Sequence, residues 1–343
     1  MTEQPLLSIR DLKTHFHTDD GVVKAVDGVS FDVHRGETVC IVGESGSGKS
    51  VTSESITQLI PMPPGEIVEG SVYYDGNDIT TMTEDGVRSL RGSQIGHVFQ
   101  NPQGALNPVY TVGYQIREAI LSHRDVSKAE ARELAVELLE EVGIPEAPTR
   151  VDDYPHEFSG GMKQRVVIAI ALACDPEMLI ADEPTTALDV TIEAQILDLF
   201  RHLQQELDMS IIFITHDLGV VAEIADRVVV MYAGKVMETG SVEKIFENPA
   251  HPYTKALLEC LPGQAGLEPI PGALPSVTDP PNGCRFHDRC PYAIDMCRTG
   301  EQPPLHDLPG DHAVSCIHYE DGDGDLPELE DVDRMDAAIG GAR

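Results

Sequence analysis

The segment Gly43-Glu-Ser-Gly-Ser-Gly-Lys-Ser50 constrains the fold more than any other part of the sequence. It fits the pattern G-x-x-x-x-G-K-[ST] and directly follows the short apolar run Thr38–Val42. The backbone N–H groups of such a glycine-rich loop surround phosphate oxygens, and the start of the next helix adds a positive dipole end. The sequence therefore predicts a strand, a phosphate-binding loop and a helix within an α/β fold.

A second segment supplies acidic residues. In a nucleotide site, Lys49 would neutralise phosphate charge and Ser50 would bind Mg²⁺, but acidic residues are needed as well. The apolar run Met178–Ala181 is typical of a strand buried on both faces of a parallel sheet, and it ends in Asp182 and Glu183. Taken alone, it could be a strand end with two solvated acids. Beside a phosphate loop, we expect Asp182 to hold the metal and Glu183 to act as general base.

The segment Phe158-Ser-Gly-Gly-Met-Lys-Gln-Arg165 is a second candidate anion-binding turn. Serine followed by two glycines is typical of a capped helix start, which is the simpler interpretation of this segment alone. Here the chain resembles the ATP-binding cassette (ABC) ATPases, whose signature is close to Leu-Ser-Gly-Gly-Gln. It departs from that pattern at Phe158 and Met162 and keeps the Ser-Gly-Gly centre. The resemblance covers about residues 5–258.

The resemblance implies roles for further residues, because the remaining motifs occur in the family's order. Gln100 matches the Q-loop glutamine, Asp189 follows Ala187 and Leu188 as in the D-loop, His216 matches the switch histidine, and Phe16 matches an aromatic residue that stacks on adenine. ATP contacts are thereby expected at Phe16, Gly43, Glu44, Ser45, Gly46, Ser47, Gly48, Lys49, Ser50, Val51, Gln100 and Asp182, with Mg²⁺ held by Ser50, Gln100 and Asp182.

The chain has one phosphate loop and one signature, and in ABC ATPases the active site forms between two subunits. The resemblance therefore implies a dimer in which Ser159, Gly160, Gly161 and Met162 face the partner's ATP. The catalytic pair, Glu183 and His216, is intact, so we expect the chain's own site to hydrolyse ATP. The implied fold is a P-loop NTPase (RecA-like) core with an antiparallel β subdomain and an α-helical subdomain at about residues 102–175.

Four of the seven cysteines, Cys284, Cys290, Cys297 and Cys316, lie in a stretch rich in Pro and Gly. Disulfides are rare in cytosolic proteins, structural zinc prefers closer cysteine pairs, and the spacing differs from that of ferredoxins. From the residues alone, Zn²⁺, an iron–sulfur cluster and free thiols all stay open.

Residues Asn248 to Thr254, followed by this cysteine pattern, are similar to the C-terminal extension of oligopeptide/dipeptide importer ATPases. In some members the four cysteines are associated with an iron–sulfur cluster, so the resemblance favours a structural [4Fe–4S] cluster over Zn²⁺. A regulatory iron–sulfur module is the alternative role. We expect the extension to span residues 259–318 and an acidic disordered tail to span residues 319–343.

The net charge of the chain indicates which kinds of molecule it binds. The chain has 24 Lys and Arg against 58 Asp and Glu, a formal net charge of −34, which disfavours nucleic-acid binding. The eight acids between Glu320 and Asp333 account for under a quarter of that charge, so the excess is spread over the folded body. This pattern favours a halophile's high-salt cytoplasm, and an ordinary acidic protein is the alternative.

Hydropathy gives no sign of a membrane span. The longest apolar run, Val166–Cys174, has nine residues, whereas about 18–20 are needed to cross a bilayer. The N-terminus lacks the basic and apolar regions of a secretory signal, so we expect a cytosolic, soluble polypeptide.

The resemblance implies an ATPase subunit that powers di- and oligopeptide import at the inner face of the cell membrane. Its expected partners are a second, similar ATPase in a heterodimer, two transmembrane permeases and an extracellular solute-binding protein. The same ATPase role for nickel or another small solute is the nearest alternative. A soluble ABC ATPase of DNA repair or translation is disfavoured by the single cassette and the negative charge.

Overall fold

The computed structural model describes residues 4–186, 188–261, 270–320 and 326–327, with both strands and helices. The strands are β1 (Leu7–Thr18), β2 (Gly21–Val33), β3 (Thr38–Val42), β4 (Gly65–Tyr74), β5 (Asn77–Asp78), β6 (Ile95–Val98), β7 (Met178–Asp182), β8 (Ser210–Thr215), β9 (Arg227–Tyr232), β10 (Lys235–Ser241), β11 (His306–Leu308) and β12 (His312–Val314). The α-helices are α1 (Lys49–Ile56), α2 (Glu84–Leu90), α3 (Pro102–Ala105), α4 (Val112–His123), α5 (Lys128–Glu141), α6 (Ala147–Arg150), α7 (Gly160–Ala171), α8 (Val190–Leu207), α9 (Leu218–Ile224), α10 (Val242–Glu247) and α11 (Pro252–Glu259).

The chain divides into two compact units, and the first comprises Met1–Leu7, Val33–Thr38 and Tyr74–Thr215. Its strands β6, β7 and β8 are neighbours and run parallel. Every residue of β7 and of β8 is buried, which confirms the prediction of a strand covered on both faces at Met178–Ala181. The helices α3 to α7 lie in this unit, within the segment expected to be an α-helical subdomain.

The second unit comprises Ser8–Asp32, Val39–Tyr73 and His216–Arg343. A two-residue turn joins the neighbouring strands β1 and β2, which therefore run antiparallel, and β4 lies on the other side of β1. Another row of sheet strands in this unit has the order β11-β12-β10-β9-β3. In it, β3 and β9 are parallel, whereas β9 with β10 and β10 with β12 are antiparallel.

The C-terminal extension adds the hairpin β11–β12 to the edge of this sheet at β10. The sequence predicts a loop-rich region there, because strands of three residues are too short to show alternation. A buried acid, Glu238 on β10, accepts hydrogen bonds from the backbone N–H groups of Ala250 (2.7 Å) and His251 (2.9 Å) and shares one with His312 Nε2 (2.7 Å). This network holds β12 and the start of α11 against the sheet.

Candidate functional site

The phosphate loop lies where the sequence predicts it, between β3 and α1 in the second unit. Gly43 and Gly48 have positive φ angles of 156° and 100°. A Cβ atom at Gly43 would lie 2.1 Å from the Met231 carbonyl oxygen, and one at Gly48 would lie 2.3 Å from that of Ala25. Only glycine fits these two positions, because both the backbone angle and the space exclude a side chain.

Lys49 is the first residue of α1 and is almost fully buried. Its Nζ donates hydrogen bonds to the carbonyl oxygens of Gly43 (2.7 Å) and Glu44 (3.0 Å), both within the loop. The ammonium group is therefore held inside the curve of the loop, where a phosphate oxygen can replace a carbonyl as its acceptor. Ser50 and Val51 follow on the first turn of α1, and Ser45 and Gly46 are exposed at the loop's tip.

The hydroxyl of Ser47 is buried in the same loop, and within the described chain it has no hydrogen-bond partner. A neighbouring contact comes from Tyr253 on α11, whose hydroxyl accepts a 2.9 Å hydrogen bond from the Glu44 backbone N–H. Sequence reasoning missed Tyr253, because nothing in the local pattern around it points to the loop 209 positions earlier.

The acidic pair lies at the end of β7 in the first unit. Asp182 is buried, and Glu183 adopts a positive φ of 45°, an uncommon angle for a residue with a side chain. Glu183 Oε2 accepts hydrogen bonds from Gln100 Nε2 and from the Thr186 hydroxyl, each of 2.9 Å. The structure thus brings together Gln100 and Glu183, two of the predicted site residues, and adds Thr186, which sequence reasoning missed.

The signature turn is a capped helix start, as the sequence predicts. The Ser159 hydroxyl accepts a 3.3 Å hydrogen bond from the backbone N–H of Met162 at the start of α7. Gly160 has open space around it, whereas a Cβ atom at Gly161 would lie 2.4 Å from the Ile192 side chain on α8. Asp189 caps α8 by accepting a 3.0 Å hydrogen bond from Ile192 N–H. Ile192 therefore links the two motifs, because its side chain packs against Gly161 of the turn and its backbone N–H bonds to the D-loop residue Asp189.

Two further predicted residues lie in the second unit. Phe16 is half-buried on β1, and the edge of its ring is 3.0 Å from where a Cβ atom would lie at Gly65. His216 directly follows β8 and is exposed. Ala187, which belongs to the predicted D-loop, lies outside the described residues.

The four cysteines of the extension are partly or fully buried. Cys284, Cys297 and Cys316 are at most 8% exposed, and Cys290 is half-buried. Burial raises the pKa of Cys284 to about 11 and the pKa values of Cys290 and Cys316 to about 12, and the neighbouring cysteines contribute to each rise. Backbone N–H groups of Phe286, His287, Tyr292 and His318 bond to these sulfur atoms and oppose the effect.

Among the residues that the structure describes, no group of three or more His, Cys, Asp or Glu side chains has the geometry of a metal site. In the same part of the chain, no helix is long and apolar enough to cross a membrane.

The second unit has a phosphate loop, and the first has a capped Ser-Gly-Gly turn and a Glu–Gln pair at the ends of parallel strands. These features define a P-loop ATPase of the ABC class. The family profile described as "ABC transporter" matches residues 26–186, and that described as "Oligopeptide/dipeptide transporter, C-terminal region" matches residues 237–297. The chain belongs to the oligopeptide/dipeptide family of ABC transporter ATP-binding subunits, and as an ABC ATPase it hydrolyses ATP.

Individual relatives support this assignment over nearly the whole chain. The oligopeptide transport ATP-binding protein OppD of Bacillus subtilis is 52% identical, covering 97% of this chain and 94% of the relative. The dipeptide transport ATP-binding protein DppD of the same organism is 51% identical over 86% of this chain and 89% of its own length.

Solved structures show the same fold. The ATP-binding cassette MJ0796, a dimer bound to ADP and phosphate in a post-hydrolysis state, is 28% identical with a TM-score of 0.62. That match covers 69% of this chain and 98% of the cassette. The cbiO1 protein of Clostridium perfringens, part of the ABC transporter complex cbiONQ, is 29% identical with the same TM-score and covers 76% of this chain and 96% of its own.

Proposed function

We propose that this chain powers the import of di- and oligopeptides through a membrane ABC transporter, as a peripheral subunit on the cytoplasmic face. The observation that carries the proposal is the match of residues 237–297 to the C-terminal region of oligopeptide/dipeptide transporters, in a chain whose residues 26–186 match the ABC transporter profile. Relatives named for oligopeptide and dipeptide transport support the same cargo class.

In this proposal the site residues have the roles that the ABC family assigns to them. The phosphate loop binds the phosphates of ATP, Ser50, Gln100 and Asp182 hold Mg²⁺, and Glu183 takes the proton of the attacking water with His216 at the γ-phosphate. Ser159 to Met162 complete the site of a second ATPase subunit, and a pair of permeases receives the resulting motion. A solute-binding protein outside the cell delivers the peptide.

The domain limits are also proposed. The cassette spans residues 5–258, with its helical subdomain at about 102–175, and the extension spans residues 259–318. The proposed acidic disordered tail, residues 319–343, lies mostly outside the described residues, which end at 320 apart from residues 326–327. Its expected start is wrong by at least one residue, because Tyr319 is buried and its hydroxyl donates to the Ala250 carbonyl.

ATP hydrolysis by the purified chain, alone and with its partner subunits, tests the catalytic part. Glu183→Gln keeps the size of the side chain but removes the base, so we expect hydrolysis to fall by about a hundredfold or more while ATP still binds. The matched control is Glu177→Gln, which changes an exposed acid paired with Arg35 just before β7. Full hydrolysis by Glu183→Gln would show that another residue is the base.

Uptake measurements test the cargo. Cells lacking this gene should lose uptake of a labelled tripeptide, and the wild-type chain should restore it, whereas Glu183→Gln should not. Labelled nickel serves as the competing substrate. Loss of nickel uptake with unchanged peptide uptake would replace the peptide proposal with the metal-ion alternative.

We further propose that Cys284, Cys290, Cys297 and Cys316 hold a [4Fe–4S] cluster, with Zn²⁺ as the alternative ion. The donor set supports a metal: the cysteine sulfur atoms lie close enough together to raise one another's pKa, and a bound cation would offset that repulsion and stabilise the thiolates. Bound there, a cluster would cross-link the extension as a structural clip.

Iron, sulfide and zinc analysis of the anaerobically purified chain tests this proposal. We expect about four irons per chain, lost in Cys290→Ser and kept in Cys174→Ser, a half-buried cysteine in the first unit. One zinc and no iron would establish the zinc alternative, and neither metal would leave four free thiols.

The net charge of −34 supports a last proposal, that the chain functions at high salt concentration.

A further inference from the structure

Arg289 of the extension is almost buried, with its side chain 6% exposed, and it lies next to Cys290 at the end of a short 3₁₀ turn. Its guanidinium also stacks over the rings of Tyr232 (5.6 Å) and Phe286 (5.9 Å). Its side chain donates five hydrogen bonds: Nε to Pro271 O (2.8 Å), Nη1 to Glu44 Oε2 (2.9 Å) and to the Tyr232 hydroxyl (3.2 Å), and Nη2 to Glu44 Oε1 (3.0 Å) and to Ile270 O (3.0 Å).

The main partner of Arg289 is the second residue of the phosphate loop. Glu44 places a carboxylate in a loop whose proposed ligand carries several negative charges, and it is only 24% exposed. Like charges at such a site weaken anion binding, and partial burial leaves them poorly screened. The two parallel hydrogen bonds from Arg289 neutralise this carboxylate and fix its orientation, because a guanidinium matches a carboxylate with both nitrogens.

A second arginine, Arg285, links the same part of the extension to the phosphate loop by another route. Arg285 directly follows Cys284, is buried, and donates to the Ala233 carbonyl and to the Asp27 carboxylate. The next residue after Ala233, Gly234, donates its backbone N–H to Ser47 O of the phosphate loop (2.8 Å). The extension thus reaches the loop by two routes, both starting beside a cysteine.

We propose that Arg289 is a positioning residue for nucleotide binding: by pairing with Glu44 it neutralises and orients that carboxylate, so that its negative charge does not oppose the phosphates of ATP. The C-terminal extension thereby sets the affinity of this chain for ATP. The inference rests on the proposed function only in that the loop binds the phosphates of ATP. It holds whichever metal, if any, the cysteines bind.

Binding of the Mg²⁺ complex of adenylyl imidodiphosphate, an ATP analogue that is not hydrolysed, tests the inference by calorimetry on the full-length chain. We expect Arg289→Gln to raise the dissociation constant about tenfold or more, because it leaves the Glu44 charge unpaired beside the phosphates. The matched control is Arg298→Gln. Arg298 also follows a cysteine, but it is 48% exposed and pairs only at 3.6 Å with Asp295.

The double variant Glu44→Gln/Arg289→Gln separates charge neutralisation from support of the fold. If Arg289 acts through the Glu44 charge, the second substitution restores affinity to within about threefold of the wild type. If affinity stays low, Arg289 only supports the extension and the proposal is wrong. Glu44→Gln alone keeps the Arg289 side chain and removes the carboxylate beside the phosphates: we expect the analogue to bind more tightly than to the wild type, and a tenfold loss would contradict the proposal.

Failure of this inference is distinguishable from failure of the proposed function. A wild-type chain that does not bind the analogue would refute ATP binding at the loop itself. A wild-type chain that binds it, with Arg289→Gln and Arg298→Gln equal to it, would refute only the role of Arg289.

Discussion

The side-chain amide of Gln100 donates a 2.9 Å hydrogen bond to the Glu183 carboxylate, although the two residues are 83 positions apart. Gln100 follows β6 and Glu183 follows β7, and these strands are parallel neighbours whose carboxyl ends meet at one edge of the sheet. Thr186 donates to the same carboxylate oxygen. The proposed general base is therefore oriented by two donors from separate segments.

Thr186→Val should lower the turnover number for ATP hydrolysis about fivefold and leave the KM for ATP unchanged. The reason is that it removes a hydrogen bond to Glu183, which is worth about 1 kcal/mol. Steady-state kinetics at saturating Mg²⁺ measure both values. Thr186→Ser keeps the hydroxyl and should behave as the wild type. Wild-type turnover by Thr186→Val would mean that the hydrogen bond does not orient the base, and a loss confined to Thr186→Ser would mean that the methyl group matters instead.

Ser159→Ala should abolish most ATP hydrolysis by the assembled dimer, because Ser159 is proposed to face the partner's ATP. It should also cost about 1 kcal/mol of stability, the usual value of a lost N-cap. Ser127→Ala is the matched control. Ser127 caps α5 through the same kind of 3.3 Å bond and makes a capping box with Glu130. The Ser127→Ala variant should lose similar stability and hydrolyse ATP at the wild-type rate. Equal hydrolysis by the Ser159→Ala and Ser127→Ala variants would contradict the proposed role of Ser159.

His97→Phe should make the stability of the chain less sensitive to acid. Burial lowers the pKa of His97 to about 4, and neither ring nitrogen has a hydrogen-bond partner within the described residues. Between the unfolded value of 6.5 and about 4, the unfolded chain binds more protons than the folded one, so stability falls as pH falls. Phenylalanine does not titrate and can keep the ring stacking with Phe99, whose centroid lies 4.4 Å away.

The measurement is the thermal unfolding midpoint at pH 7.5 and at pH 5. From pH 7.5 to pH 5, the unfolding midpoint of the wild type should fall further than that of His97→Phe. His251, whose pKa burial also lowers to about 4, stays in both proteins and accounts for part of the remaining acid sensitivity. An identical drop in the two proteins would show that His97 is solvated.

Salt should stabilise this chain strongly. With a net charge of −34, raising KCl from 0.1 M to 1 M shortens the screening length from about 10 Å to about 3 Å and weakens the self-repulsion of the folded state. We expect the unfolding midpoint to rise by several degrees. Sucrose of equal osmolality controls for effects other than screening, and an equal rise in sucrose would contradict the charge explanation.

The sequence was sufficient for features set by local patterns. The phosphate loop after β3 follows from glycine spacing, because Gly43 and Gly48 take backbone angles that other residues avoid. The buried strand β7 follows from an unbroken apolar run, and the Ser159 cap follows from a serine before two glycines. Each of these features depends on the geometry of a few consecutive residues, which is the information that a sequence carries directly.

Contacts between distant segments required the tertiary structure. Glu44 and Arg289 are 245 positions apart, and the residues around either position give no indication of the contact between them. The hairpin β11–β12 and the buried Glu238 network are further examples, because strands of three residues show no alternation and a lone acid in a strand is ordinarily exposed. Local sequence determines which backbone shape is allowed and which side chains must be buried. Which distant partner neutralises a buried charge is decided only when the folded chain brings the two together, since that choice depends on the packing of the whole unit.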